Sequence, residues 1–211
     1  MSLVLVPLVL AIVMASIILH EVAHGLAALM FGDDTAKEAG RLTLNPIVHI
    51  DLIGSIFLPV VCLLMGAPMI GWAKPVPVDF NRLPSRFADL CVSLAGIAVN
   101  FTLAVGAGLL IRTSPHWLVW IFGSDVSQGQ MYALLGPLML VAQINLVLGV
   151  FNLMPVPPLD GWRIWGVWLP YDWRMFIEMK AMWFMIALFI LLPYLPVFWL
   201  VNLLYTLLIG L

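Results

Sequence analysis

His20-Glu21-Val22-Ala23-His24-Gly25 sits inside an apolar run that extends from Leu3 to Phe31, and that placement decides how the rest of the chain is read. Four residues apart on a helix, two side chains share one face with about 5–6 Å between their Cβ atoms, so both imidazoles can reach a single ion. Glu21 stands beside the first of them. This is an H-E-x-x-H pattern: paired imidazoles suit zinc, and the carboxylate between them suits proton abstraction from a water that the ion polarises. A structural His–Glu pair between packed helices is the bland alternative. Ionisable groups in so apolar a stretch are costly in lipid, which favours a functional reading with a partner elsewhere in the chain.

The 211 residues are 64% hydrophobic and only 9% charged, with a mean hydropathy of +1.10. Several runs approach the roughly 18–20 apolar residues that a spanning helix needs, so an integral membrane protein is expected and a soluble core is excluded. A net charge of −2 with no basic tract gives no footprint for nucleic acid. Cys62 and Cys91 have neither C-x-x-C spacing nor a neighbouring His and read as small buried hydrophobes. No positively charged segment precedes Leu3–Ser16, and cleavage after it would fall close to His20, so this run is expected to be a retained span. No linker, repeat or low-complexity tract interrupts the sequence. One integral-membrane domain over residues 1–211 is expected.

From the first span outward, a polar turn follows at Gly32-Asp33-Asp34, and Arg41-Leu42-Thr43-Leu44-Asn45 alternates until Pro46, which reads as a short strand. Leu52–Met69 is apolar but interrupted by Gly54, Pro59, Gly66 and Pro68. Gly71-Trp72-Ala73-Lys74-Pro75-Val76-Pro77-Val78 is expected to be extended, because residues before proline avoid the α region. Phe87–Ile111 is a clean span, Ser114–Gln130 a polar and aromatic loop, and Met131–Met154 another span that ends at Pro155. Ala181–Leu211 is broken by Pro193 and Pro196, which favours a short helical hairpin over one kinked helix. The fold expected is an all-α polytopic bundle of about five to six membrane segments, with a re-entrant segment and short β-strands near the site.

Charge arbitrates the crossings. If Leu52–Met69 dips in and returns, eight of the nine basic residues share one face and only Arg112 is opposite; a full crossing splits them six to three. Because cytoplasmic loops carry the excess of Lys and Arg, the re-entrant arrangement is preferred. It puts the histidine motif toward the cytoplasm and the N-terminus outside, in the cell (inner or plasma) membrane. Irregular backbone at membrane depth also needs surrounding protein or a wet cavity, which suits the glycines and prolines of that segment.

A catalytic zinc takes three protein ligands and keeps one position open for water. Beyond His20 and His24, the candidates for the third are His49, Asp51, His116 and Asp160. Asp160 is favoured because Pro155, Pro157 and Pro158 deny the backbone a continuous helix, and Gly161 permits close approach. An N-cap of a helix starting near Trp162 explains Asp160 equally well at this point.

Taken with Asn152-Leu153-Met154-Pro155-Val156-Pro157-Pro158-Leu159-Asp160-Gly161, the motif at His20–Gly25 resembles the site-2 protease family of intramembrane zinc metalloproteases. The paired motifs there are H-E-x-x-H-G and N-x-x-P-x-P-x-x-D-G. The likeness runs through Gly40–Pro46, His49-Ile50-Asp51, Gly71–Val78 and Ala95-Gly96-Ile97-Ala98-Val99-Asn100, covering residues 15–165 or so. One departure is Ile97, which stands where the family's A-G-P-x-x-N has Pro. The chain resembles the small members without a PDZ or CBS domain.

This resemblance implies one Zn²⁺ per chain held by His20, His24 and Asp160, with Glu21 as the general base. It makes Asn152 the first candidate to stabilise the reacting carbonyl or grip substrate backbone, and Asn100 the second. An interhelical hydrogen bond is the alternative for Asn100, since Gly96, Asn100, Ala104 and Gly108 form one stripe at four-residue spacing. The implied substrates are transmembrane proteins whose spanning segments unwind to be cut, with the lipid bilayer as the other partner and no nucleic acid. Arg41–Asn45 or Gly71–Val78 would offer an edge to an extended substrate. Trp162, Trp165, Trp168, Trp173, Trp117 and Trp120 read as an aromatic belt. The competing functions are a membrane metal-ion transporter, in which His and carboxylates would be ion stations, and a non-catalytic metal-binding relative.

Overall fold

The computed structural model describes residues 5–65, 71–123 and 127–210. Among these residues the fold is all helical. Three helices are long and apolar enough to cross a membrane: α1 (Leu5–Met30), α4 (Arg86–Arg112) and α6, described from Gln128 to Asn152. At 1.5 Å per residue the 26 residues of α1 reach about 39 Å, more than the roughly 30 Å of a hydrocarbon core. The protein is a multi-pass membrane protein. A fourth span arises if α8 (Tyr171–Met179) and α9 (Ala181–Leu191) with the turn after it count as one, although they bend by 73° at their junction. Two further apolar helices, Leu52–Cys62 and α10 (Val197–Ile209), are too short to cross alone. Pro193 and Pro196 do divide the last stretch, into α9 and α10.

The chain forms two compact units, residues 13–96 and residues 1–12 with 97–211. In the first, α1 ends where Gly32 adopts a φ of +97°, a conformation that favours glycine. A short helix, α2 (Thr35–Glu38), follows. The strand expected at Arg41–Asn45 does not form, and no strand occurs among the described residues. Its alternation is opposite to what a half-buried strand needs: Arg41 is buried and Leu44 is exposed. Local capping takes over instead, as the Asn45 side chain accepts from the Ile47 N–H at the start of a 3₁₀ turn at Pro46–His49.

Leu52–Phe57 is π-helical and leads into α3 (Leu58–Leu64). Trp72 lies against the start of this segment: its N–H donates to the Gly54 carbonyl at 3.1 Å, and the Ser55 hydroxyl donates to its carbonyl at 2.8 Å. A Cβ on Gly54 would run into the Trp72 ring. The expected dip lies partly at residues 66–70, outside the described residues. Residues 71–79 form neither helix nor strand and run as a strap back toward α1.

In the second unit α4 is continuous through Ile97, which keeps the amide that proline would remove. Its core is Ala104, Leu146, Val150 and Val201, packed by Phe101 and Leu208. Glycines let the helices close up: a Cβ on Gly149 would press on the Phe101 ring at 3.1 Å, and one on Gly108 would collide with Leu208. The loop expected at Ser114–Gln130 is in part helix α5 (Ser114–Phe122), because Pro115 in the first turn presets the helical φ and an apolar sequence follows. The tryptophans expected in an aromatic belt differ in exposure. Trp168, Trp173 and Trp120 are exposed, but Trp162 is buried with its N–H on Glu178 Oε1 at 3.1 Å.

Candidate active site

The first unit carries the histidine pair. His20 and His24, one turn apart on α1, are both buried. Their Nε2 atoms lie 3.1 Å apart, with the rings edge to face and 4.7 Å between centroids. On the other side of the His24 ring, Nδ1 donates to the Val92 carbonyl of α4 at 2.7 Å. A carbonyl only accepts, so this bond puts the His24 proton on Nδ1 and turns the Nε2 lone pair toward His20. Anchoring of the remote nitrogen to a carbonyl is what metal-ligating histidines have. Two nitrogens each about 2.0–2.1 Å from a tetrahedral zinc are about 3.3 Å apart, close to the spacing found here, so the pair fits that ion.

Room for the rings comes from Gly96 on α4. A Cβ there would stand 2.5 Å from His24 Nε2 and 2.7 Å from two atoms of the His20 ring. Gly25, the last residue of the motif, plays the same part on the outer side of α1: a Cβ would meet Leu42 at 2.6 Å and Val76 at 2.9 Å. Glu21 is half-buried, and its Oε2 accepts from the Val76 N–H at 2.8 Å. Pairing glycine with histidine in this way is legible in the motif A-G-I-A-V-N only once the partner helix is known. The Val92 carbonyl and the Val76 amide leave no side-chain signal at all.

Asp160 belongs to the second unit. Leu159 occupies the N-cap position of α7 (Asp160–Trp165), with φ −65° and ψ 154° and no side-chain cap, and Asp160 is the first helical residue, so it is not the N-cap. Before it, α6 stops at Asn152 and a proline-rich turn follows. A Cβ on Gly161 would collide with the carbonyls of Leu153 and Met154, so only glycine lets α7 fold back on the end of α6. Trp165 ties the same turn, its indole N–H donating to the Leu153 carbonyl at 3.1 Å.

The other candidates have local duties. His49 is fully buried and donates from Nε2 to the Thr43 carbonyl at 2.8 Å. Asp51 caps the π-helix, accepting from the Ile53 and Gly54 amides at 3.0 and 2.7 Å. His116 is exposed on α5. Asn100 donates from its amide to Asn145 Oδ1 on α6 at 2.8 Å, with both side chains fully buried: the interhelical bond left open by the sequence. The Asn152 amide donates to the Leu148 carbonyl of its own helix at 3.0 Å.

Comparison with known proteins adds the family. The profile described as "Peptidase family M50" matches residues 118–194, the portion that contains Asp160. The chain is 41% identical over 163 residues to "Putative zinc metalloprotease YwhC" of Bacillus subtilis, covering 76% of this chain and 68% of that protein. It is 35% identical over 158 residues to "Putative zinc metalloprotease Rip2" of Mycolicibacterium smegmatis, covering 74% of this chain and 54% of that one. Against Rip2 of Mycobacterium tuberculosis it is 31% identical over 153 residues, 71% of this chain and 52% of that protein. The chain thus spans about half the length of the mycobacterial relatives. No solved structure matches. At 41% identity over about two thirds of the Bacillus protein, the chain belongs to peptidase family M50, the site-2 protease family of zinc metalloproteases.

Proposed function

We propose that this protein is an intramembrane zinc endopeptidase that hydrolyses peptide bonds within or next to transmembrane segments of membrane-protein substrates, working from the cytoplasmic side with its N-terminus outside. His20, His24 and Asp160 would hold one zinc per chain. When bound, the ion supplies Lewis-acid polarisation to water and to the scissile carbonyl. The chain's own residues do the rest. Glu21 takes the proton of the attacking water at the carboxylate oxygen not engaged by Val76 and delivers it to the leaving amine. Asn152, at the end of α6, is the residue that would grip substrate backbone once its amide leaves the Leu148 carbonyl.

The observation that carries this reading is the His20–His24 pair: ring nitrogens 3.1 Å apart in a buried site, one ring anchored through its far nitrogen, with a carboxylate between them in sequence. A transporter has no need of Glu21 at that position. Substitution Glu21→Gln separates the readings. It should lower cleavage of a single-span reporter peptide in reconstituted vesicles by at least a hundredfold while zinc stays bound. Unchanged cleavage with zinc present would refute the assignment of the base.

A further inference from the structure

Within the first unit, the strap at residues 71–79 is stitched to its surroundings with a regular alternation. The amides of Trp72, Lys74 and Val76 donate inward, to the Gly54 carbonyl, to the His49 carbonyl at 2.9 Å and to Glu21 Oε2 at 2.8 Å. Amides of successive residues in extended chain point to opposite sides, and the outward positions 75 and 77 are prolines, which have no N–H. Between Lys74 and Val78 the edge is thus spent inward and blunted outward, and only Ala73 keeps an outward amide, which makes that stretch a poor template for strand addition by a substrate. The strap therefore serves something on its inner side, where it meets Glu21.

Arg41 holds it there. The Arg41 side chain is buried, and its Nη2 donates to the carbonyls of Lys74 at 2.6 Å and Pro75 at 3.3 Å. Its Nε has no partner, and among the described residues no carboxylate pairs with it. A buried guanidinium satisfied only by carbonyls is expensive, and an apolar side chain would fill the same space at lower cost. The second of those carbonyls explains the expense. The Pro75 C=O and the Val76 N–H belong to one peptide group. A buried cation thus donates to the oxygen of that group while its N–H donates to the carboxylate of the base. Each bond polarises the group in the sense that strengthens the other.

We infer that Arg41 is a positioning residue for the reaction, acting through the Pro75–Val76 peptide group to fix one oxygen of Glu21 and leave the other for the proton. This rests on the reading of Glu21 as the base, but its geometry is tested without cleavage. Val76 carries the one amide between the two prolines, so hydrogen exchange at that amide reports the contact directly. In the intact protein in vesicles the Val76 amide exchanges at least a hundredfold more slowly than an unprotected amide. Both Glu21→Ala and Arg41→Met speed it at least tenfold, and Arg41→Lys, which restores a donor, recovers part of the protection. Val76→Ala, which keeps the N–H and loses the packing, stays protected.

Activity then separates positioning from packing. Val76→Pro deletes the N–H in a segment already flanked by prolines. Relative to Val76→Ala it lowers kcat on the reporter peptide about ten- to a hundredfold, with KM within twofold and zinc retained. Fast exchange at Val76 in the wild type, or protection unchanged in either Glu21→Ala or Arg41→Met, overturns the inference even if Glu21→Gln abolishes cleavage. Equal kcat in the two Val76 variants overturns it as well.

Discussion

A single methyl group at position 96 tests the metal site from the side of its walls. Gly96→Ala puts carbon 2.5 Å from the nitrogen of His24 that faces His20. The rings must shift or the helices part, and either misplaces the lone pairs. Zinc affinity should fall at least tenfold, measured by competition with a chelator, while helix content by circular dichroism stays unchanged. Wild-type affinity in that variant would mean that the rings do not use this space. The sequence showed Gly96 plainly, but as one member of a packing stripe with Asn100, Ala104 and Gly108. The structure gives each member a different neighbour: imidazoles for Gly96, Asn145 for Asn100, the core for Ala104 and Leu208 for Gly108. Helical spacing states which face a residue shares, and it is silent about what stands opposite.

Long helices were legible because their apolar runs exceed any soluble alternative, and α1, α4 and α6 lie within a few residues of the expected spans. The short elements were not. Arg41–Asn45 alternates like a strand, yet no partner edge lies beside it among the described residues, and capping by Asn45 governs the backbone. Asn100→Ala removes the bond between α4 and α6 and should cost about 0.6–2 kcal/mol, read as a lower unfolding midpoint; loss of cleavage with an unchanged midpoint would restore a catalytic role to Asn100. The turn after α1 should respond to acid. Burial pushes the Asp33 carboxyl up, but hydrogen bonds from the Thr35 hydroxyl and amide and from the Asp79 amide, with Arg82 nearby, outweigh it and hold the group below its ordinary 3.8. A depressed value contributes stability that is full above 3.8 and is lost as pH falls through the folded value. Exchange at the Asp79 amide should accelerate in that window, and Asp33→Asn should abolish the acid step; a step that survives the substitution would assign it to another group.

Across the whole chain, the proposed ligands come from two segments far apart in sequence, on α1 and at the start of α7, one in each compact unit. Each of these candidates stands in a sequence motif whose glycine has a steric reason in the structure: Gly25 against Leu42 and Val76, Gly161 against the carbonyls that end α6. What it left open was the third ligand, since His49 and Asp51 lie in the same family-like stretch, and the structure gives both of those a local hydrogen-bonding role. The decisive measurement is therefore the zinc content of the purified wild-type protein against Asp160→Ala. About one zinc per chain is expected in the wild type and none in the variant; stoichiometric zinc retained by Asp160→Ala would rule Asp160 out as a ligand.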